Sequence, residues 1–295
     1  MRAAVAERGV ARIIASVAAS DGAGVKLRRS LGSAPTLRVD PFLMLDEFGT
    51  DNPDDYIAGF PPHPHRGFET VTYMIDGHMQ HRDHLGNVGD LGPGGVQWMS
   101  AGHGVIHSEM PRQSEGRMRG FQLWINLPAA EKMQPASYRD IPPADIPTAT
   151  LPGGGRVRVI AGAIDVAERH VEGPINGHAA KRSTDPLYLD IELPPGAEFT
   201  QPLPRGHAAF LYPYEGEVAV QTAAGPQAVP RQAAAVLETD GDVLRCIAGP
   251  RGLRALLLAA QPIGEPVVQY GPFVMNTREE IERAIADYQA GRLTA

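Results

Sequence analysis

Glycine and proline interrupt this chain too often for long helices. There are 33 glycines and 27 prolines, and they fall between short runs in which apolar and polar residues alternate. A short alternating run that stops at Gly or Pro reads as a half-buried strand bounded by turns. Phe68-Glu-Thr-Val-Thr-Tyr-Met-Ile is one such run, and Gly120-Phe-Gln-Leu-Trp-Ile-Asn-Leu and Leu187-Tyr-Leu-Asp-Ile-Glu-Leu are others. Asp76-Gly77 is a strong hairpin signal and predicts that His78–His84 returns beside the strand before it. More turns follow at Asp21-Gly22, Glu215-Gly216 and Asp240-Gly241. The pattern predicts an all-β chain of many short strands, closed into barrels.

A length of 295 residues accommodates two domains. The expected division is a first barrel over residues 1–134, a Pro/Gly-rich linker over 135–155 and a second barrel over 156–295. Pro135, Pro142, Pro143, Pro147, Pro152 and Gly153–Gly155 mark the linker. Val10–Val17 alternates like a strand, so the N-terminal stretch from Met1 is assigned to the fold and not to a targeting peptide. A short helix ends the chain. Thr277 with Glu280 three residues on predicts its capping box, Ile281, Ile285 and Tyr288 its apolar stripe, and Gly291 its C-cap.

The formal net charge of −7 and the lack of a basic patch argue against direct nucleic-acid binding. No apolar run reaches the length of a membrane helix. Cys246 is the single cysteine, which excludes an intramolecular disulfide and a thiolate metal cluster. A reducing, cytoplasmic setting fits. Two barrels in one chain need no dimerisation to bury a core, so a monomer is expected.

The chemistry concentrates in Phe60-Pro-Pro-His63-Pro-His65-Arg-Gly-Phe-Glu69. His63 and His65 share a strand face because side chains alternate across a strand. Glu69 has the parity of His65, and His107-Ser-Glu109 repeats the spacing later. Neutral imidazoles with a carboxylate suit iron, copper, nickel or zinc with positions left open for substrate. Spacing alone leaves Glu69 and Glu109 both available as the carboxylate ligand. The other histidines carry weaker patterns. His78, His81 and His84 have helical spacing on an expected hairpin, which predicts turn and surface roles. His103 has ligand-like parity behind Gly104 and is placed at the pocket border. His170, His178 and His207 have no partner pattern. Arg66 has opposite parity to the ligands and is expected to make a salt bridge outside the cavity.

These residues bring a family into view. His63-x-His65-x3-Glu69, Gly77, Pro93-Gly94 and His107 resemble the two-part motif of the cupin barrels. Asp40-Pro-Phe-Leu-Met-Leu-Asp-Glu-Phe-Gly, Gln97-Trp-Met-Ser-Ala-Gly, His107-Ser-Glu-Met-Pro and Gly271-Pro-Phe-Val-Met-Asn-Thr resemble the signatures of one subgroup, the pirins. The resemblance implies two cupin-type jelly-roll barrels with one metal, usually iron, in the N-terminal one. Fe(II) is the implied cofactor, and Cu, Ni, Mn, Zn and Co are compatible. It also implies the ligand set His63, His65, His107 and Glu109, with Glu69 as an orienting neighbour. The implied activity is that of a quercetin 2,3-dioxygenase, an oxidoreductase taking a small aromatic substrate and O2, with Glu109 as catalytic base. Phe48, Met99, His103 and Glu69 are candidate pocket residues, and Phe42, Met44, Phe68 and Met110 extend that set. The alternative implied by the same family is a non-enzymatic, iron-dependent protein that binds a transcription factor or regulates a metabolic enzyme, nuclear if the source is eukaryotic. A metal-dependent sugar isomerase rests on the cupin fold alone.

Overall fold

A computed structural model of the chain describes residues 5–178 and 181–295. The first four residues of the N-terminal stretch lie outside them. In chain order, the first strands are β1 (Val10–Ala15), β2 (Val17–Asp21), β3 (Val25–Arg29), β4 (Phe42–Thr50), β5 (Phe60–His65) and β6 (Phe68–Asp76). Next come β7 (Met79–Asp83), β8 (Val88–Leu91), β9 (Val96–Ser100), β10 (Val105–Pro111), β11 (Met118–Asn126) and β12 (Ser137–Ile141). Then follow β13 (Thr148–Thr150), β14 (Arg156–Ala161), β15 (Ala163–Val166), β16 (Arg169–Glu172), β17 (Leu187–Leu193) and β18 (Glu198–Pro202). The last are β19 (Ala208–Thr222), β20 (Gly225–Val229), β21 (Ala233–Leu237), β22 (Val243–Ala260), β23 (Val268–Tyr270) and β24 (Phe273–Met275), with one helix, α1 (Arg278–Gln289).

The fold is all-β, with two cupin-type jelly-rolls and a short C-terminal helix. Contacts group Val17–Arg38, Phe42–Pro143 and Ile263–Ala295 into one unit. Its two antiparallel sheets run β12-β9-β6-β11-β4-β3-β2 and β5-β10-β7-β8. Stretches ending at Ser16 and Pro41 join Ala144–Pro262 in the other unit, whose main sheet runs β1-β21-β19-β22-β17-β14-β13. The core of that second unit is aliphatic, built from residues such as Val157, Leu189, Leu211 and Leu257, all fully buried.

Three expectations change. Asp76-Gly77 does not close a hairpin: β6 pairs with β9 and β11, whereas β7 pairs with β8 and β10. Gly77, at φ +84, turns the chain from the larger sheet into the smaller one, and a Cβ there would meet the Arg117 carbonyl at 2.9 Å. The supposed linker contains β12, which pairs with β9 at the sheet edge, and β13, which pairs with β14. An edge strand tolerates flanking prolines because one side of its backbone needs no ladder partner. Finally, the 1–134 and 156–295 boundaries fail at both ends, since β1 pairs with β21 and residues 263–295 group with the histidine-bearing sheets.

The helix keeps its predicted capping box, whereas the predicted stripe is only partly buried, Tyr288 being 42% exposed. Thr277 Oγ1 accepts from the Glu280 amide at 3.2 Å, and Glu280 Oε2 accepts from the Thr277 amide at 2.9 Å. Ile281 and Ala284 are buried on its inner face. Among the described residues, no helix is long and apolar enough to cross a membrane.

Candidate metal centre

β5 and β10 are antiparallel neighbours, with His63 opposite His107 and His65 opposite Val105. This register brings three rings together: one nitrogen from each of His63, His65 and His107 lies within 4.8 Å of the others. His63 Nδ1 is 2.8 Å from the Pro61 carbonyl, so that nitrogen carries the proton and Nε2 presents a lone pair. That Nε2 faces His107 Nε2 at 2.9 Å. Burial pushes His65 and His107 well below the ordinary imidazole value, so both are neutral at pH 7. His65 Nδ1 is buried without a hydrogen-bond partner. Phe68 and Trp124 pack edge-on against the His65 ring and fix its plane. Three converging imidazoles, two of them held neutral by burial and the third presenting a lone pair at Nε2, fit a divalent transition-metal ion.

A register shift between His107 and Glu109 in β10 turns the carboxylate toward the larger sheet. Glu109 is buried there. Thr72 Oγ1 donates to its Oε1 at 2.9 Å, and Gln122 Nε2 donates to its Oε2 at 3.2 Å. Thr72 and Gln122 are cross-strand partners in a polar row that crosses six of the sheet's seven strands in register: Arg29, Asp46, Gln122, Thr72, Gln97 and Asp140. A barrel interior normally carries apolar side chains, so such a row marks a working surface.

His63, His65 and Glu109 face a cavity of about 600 Å³. Leu43, Met44, Phe48 and Trp124 form its apolar wall, Arg29 and Asp46 a charged one, and Gln269, Gly271 and Pro272 of the C-terminal segment close it. Flat apolar walls with a few convergent polar groups are the usual make-up of a small-molecule site.

The expected residues divide as follows. His63, His65 and His107 come together, and Glu109, Phe48 and Met44 share the cavity. Glu69 is buried elsewhere. The parity carried forward from His65 restarts at Gly67 (φ +89), where β5 ends in one sheet and β6 begins in the other. On β6 Glu69 alternates with Thr72 and therefore occupies the opposite face. Met99 lines a different cavity, of about 530 Å³, with Tyr138 and Asp140. His103 packs against the chain at Gln134, its amide donating to that carbonyl at 2.8 Å, and is not a wall of the histidine cavity. Phe42, Phe68 and Met110 do not line it either. Arg66 makes the outward salt bridge, to Asp287 at 2.9 Å.

His81 corrects the surface role assigned to it. It is buried, and its Nε2 lies 2.7 Å from His107 Nδ1. Its i, i+3 spacing with His78 and His84 carried no signal, because contact with His107 depends on β7 lying beside β10. Thr72, Gln122, Trp124 and Arg29 were equally invisible, since each gains meaning only from its cross-strand neighbours.

Two jelly-rolls in one chain, one of them holding the only such three-donor group among the described residues, define a two-barrel cupin with a candidate metal centre. Comparison with known proteins is specific. The Pirin family model matches residues 24–125 and the Pirin C-terminal cupin domain model residues 188–294. A Pseudomonas aeruginosa relative named "Putative quercetin 2,3-dioxygenase" is 54% identical over 93% of this chain and 94% of its own. The Pirin-like protein of Caulobacter vibrioides is 48% identical over 97% of this chain and 99% of its own. Among solved structures, quercetin 2,3-dioxygenase from Acinetobacter baumannii superposes with a TM-score of 0.87 at 33% identity, covering 98% of this chain and 99% of that one. The chain belongs to the pirin family.

Proposed function

We propose that this chain is a metal-dependent dioxygenase that opens the ring of a flavonol such as quercetin, with His63, His65, His107 and Glu109 holding one Fe(II) ion. The observation that carries this reading is that two imidazoles of the cluster, His63 and His65, line one aromatic-walled cavity with the buried Glu109 carboxylate. The names of the Pseudomonas relative and the Acinetobacter structure support the substrate class. Cu, Ni, Mn, Zn or Co would meet the same nitrogen and oxygen donors. A bound ion supplies Lewis acidity toward a substrate oxygen and, as iron, redox chemistry with O2.

The protein's own part is positional and acid–base. Glu109 accepts the proton of the substrate's enolic hydroxyl, and Thr72 and Gln122 hold its two oxygens toward the cavity while it does so. Phe48 and Trp124 cover the flat ring system and exclude water from the reacting end.

Iron-loaded protein should bleach quercetin absorbance in air. His63→Ala should abolish turnover, and Glu109→Gln should slow it by about 100-fold or more. Fully iron-loaded protein that turns over no flavonol overturns the enzyme reading in favour of an iron-dependent partner protein.

A further inference from the structure

The charged wall of the cavity is an unusual ion pair. Arg29 Nε donates to Asp46 Oδ1 at 2.8 Å, and its Nη2 donates to Asp46 Oδ2 at 2.6 Å and to Asp21 Oδ2 at 2.7 Å. Asp46 is 2% exposed. A guanidinium has five N–H donors. These three bonds leave both on Nη1, which makes no hydrogen bond among the described residues. The paired carboxylates keep Arg29 charged, above its ordinary value, and lock its fork in one orientation. A cavity-lining cation that cannot swing away is already ordered for a ligand.

Its position sets a length. Asp46 lies opposite Gln122, and Arg29 lies opposite Asp46. Arg29 is therefore two strands from the glutamine that holds Glu109, about 10 Å at the usual strand spacing. A single-ring catechol bound at Glu109 falls short of that distance, whereas a ligand of two or three joined rings spans it. Charge sets the chemistry. At the Arg29 end of the cavity Asp21 and Asp46 both pair with the guanidinium and outnumber it, so a ligand carboxylate is repelled there and a neutral oxygen is accepted.

We propose that Arg29 is the distal anchor of the site, its Nη1 donating to an uncharged phenol or carbonyl oxygen at the far end of a flat, multi-ring ligand. This rests on the flavonol reading and narrows it to flavonols hydroxylated away from the reacting ring edge. Asp46 is the positioning residue that aims the guanidinium.

The test compares quercetin with 3-hydroxyflavone, which lacks the distal hydroxyls, on full-length Fe(II)-loaded protein under argon. Binding is read by quenching of tryptophan fluorescence, since Trp124 lines the cavity. Wild type should bind quercetin about tenfold tighter, the scale of one hydrogen bond to a charged group. The double variant Arg29→Met/Asp46→Leu replaces the pair with apolar side chains and avoids stranding a buried acid. Its preference should fall to about one with metal content unchanged, and Arg29→Lys should fall between. Equal wild-type affinity for the two flavonols, or a tenfold preference kept by the double variant, overturns the anchor and leaves the flavonol reading standing. Wild type that binds neither overturns both.

Discussion

His81 Nε2 and His107 Nδ1 lie 2.7 Å apart, so one of the two holds the proton that joins them. For His107 Nε2 to present a lone pair beside that of His63, its Nδ1 must hold the proton and donate it to His81 Nε2. His81 then carries its own proton on Nδ1. The second histidine thus fixes both the tautomer and the ring plane of the first, as the partner of a metal-binding histidine commonly does. His81→Leu removes the acceptor and should weaken Co(II) binding by about 10–100-fold in competition with a chelator. His81→Gln keeps an acceptor oxygen and should stay within a few-fold of wild type. Wild-type affinity in the leucine variant would exclude the role. The contrast between His63 and His81 also marks what a sequence can carry at this scale. The i, i+2 spacing of His63 and His65 fixes a shared face without knowledge of any other strand. His81 has no such local sign, because its meaning arises from pairing between β7 and β10, and the apparent hairpin at Asp76-Gly77 pointed it toward the wrong neighbour.

At the scale of elements, the C-terminal segment is fastened to the corner that follows the histidine strand β5. Lys132 is 1% exposed, and its Nζ donates to the Gly67 carbonyl at 2.7 Å, Asn126 Oδ1 at 2.6 Å and the Val274 carbonyl at 3.0 Å. Gly67 has no room for a side chain, since a Cβ there would meet the Val274 oxygen at 2.1 Å. Lys132→Met strands three buried acceptors and should cost about 2–4 kcal/mol in chemical denaturation at pH 7. Burial pushes the Lys132 amine down to about 8 from an ordinary 10.5. Between those values the unfolded chain binds the proton and the folded chain does not, so this group makes stability rise with pH across that window. The full effect is about 3 kcal/mol. The gap between wild type and Lys132→Met should therefore widen between pH 8 and pH 10, and a constant gap would show that the amine titrates as it does in the unfolded chain. The capping box made α1 readable in advance. The tether was not, because a lysine followed by prolines resembles any solvated loop.

At the scale of the whole molecule, the two units exchange chain ends. β1 joins the sheet of the unit built on Ala144–Pro262, and Ile263–Ala295 joins the unit that holds the histidines. Alternation in a strand reports that one face is buried and is silent on which sheet it joins, so two barrels were legible while their membership was not. Function follows from that membership, because Gln269, Gly271 and Pro272 wall the histidine cavity. Deleting residues 263–295 from the full chain removes that wall, the Val274 acceptor of Lys132 and the Asp287 partner of Arg66. The aliphatic core around Leu189, Leu211 and Leu257 belongs to the other unit and has no member in 263–295. Calorimetry of the deletion variant should accordingly keep the transition of that unit and lose or sharply lower the one that Co(II) raises in the full chain. A Co(II)-responsive transition surviving at its full-chain temperature would mean that the histidine barrel is complete without its C-terminal segment. The cavity wall at Gln269–Pro272 would then be dispensable for holding the ion, leaving only its contact with substrate.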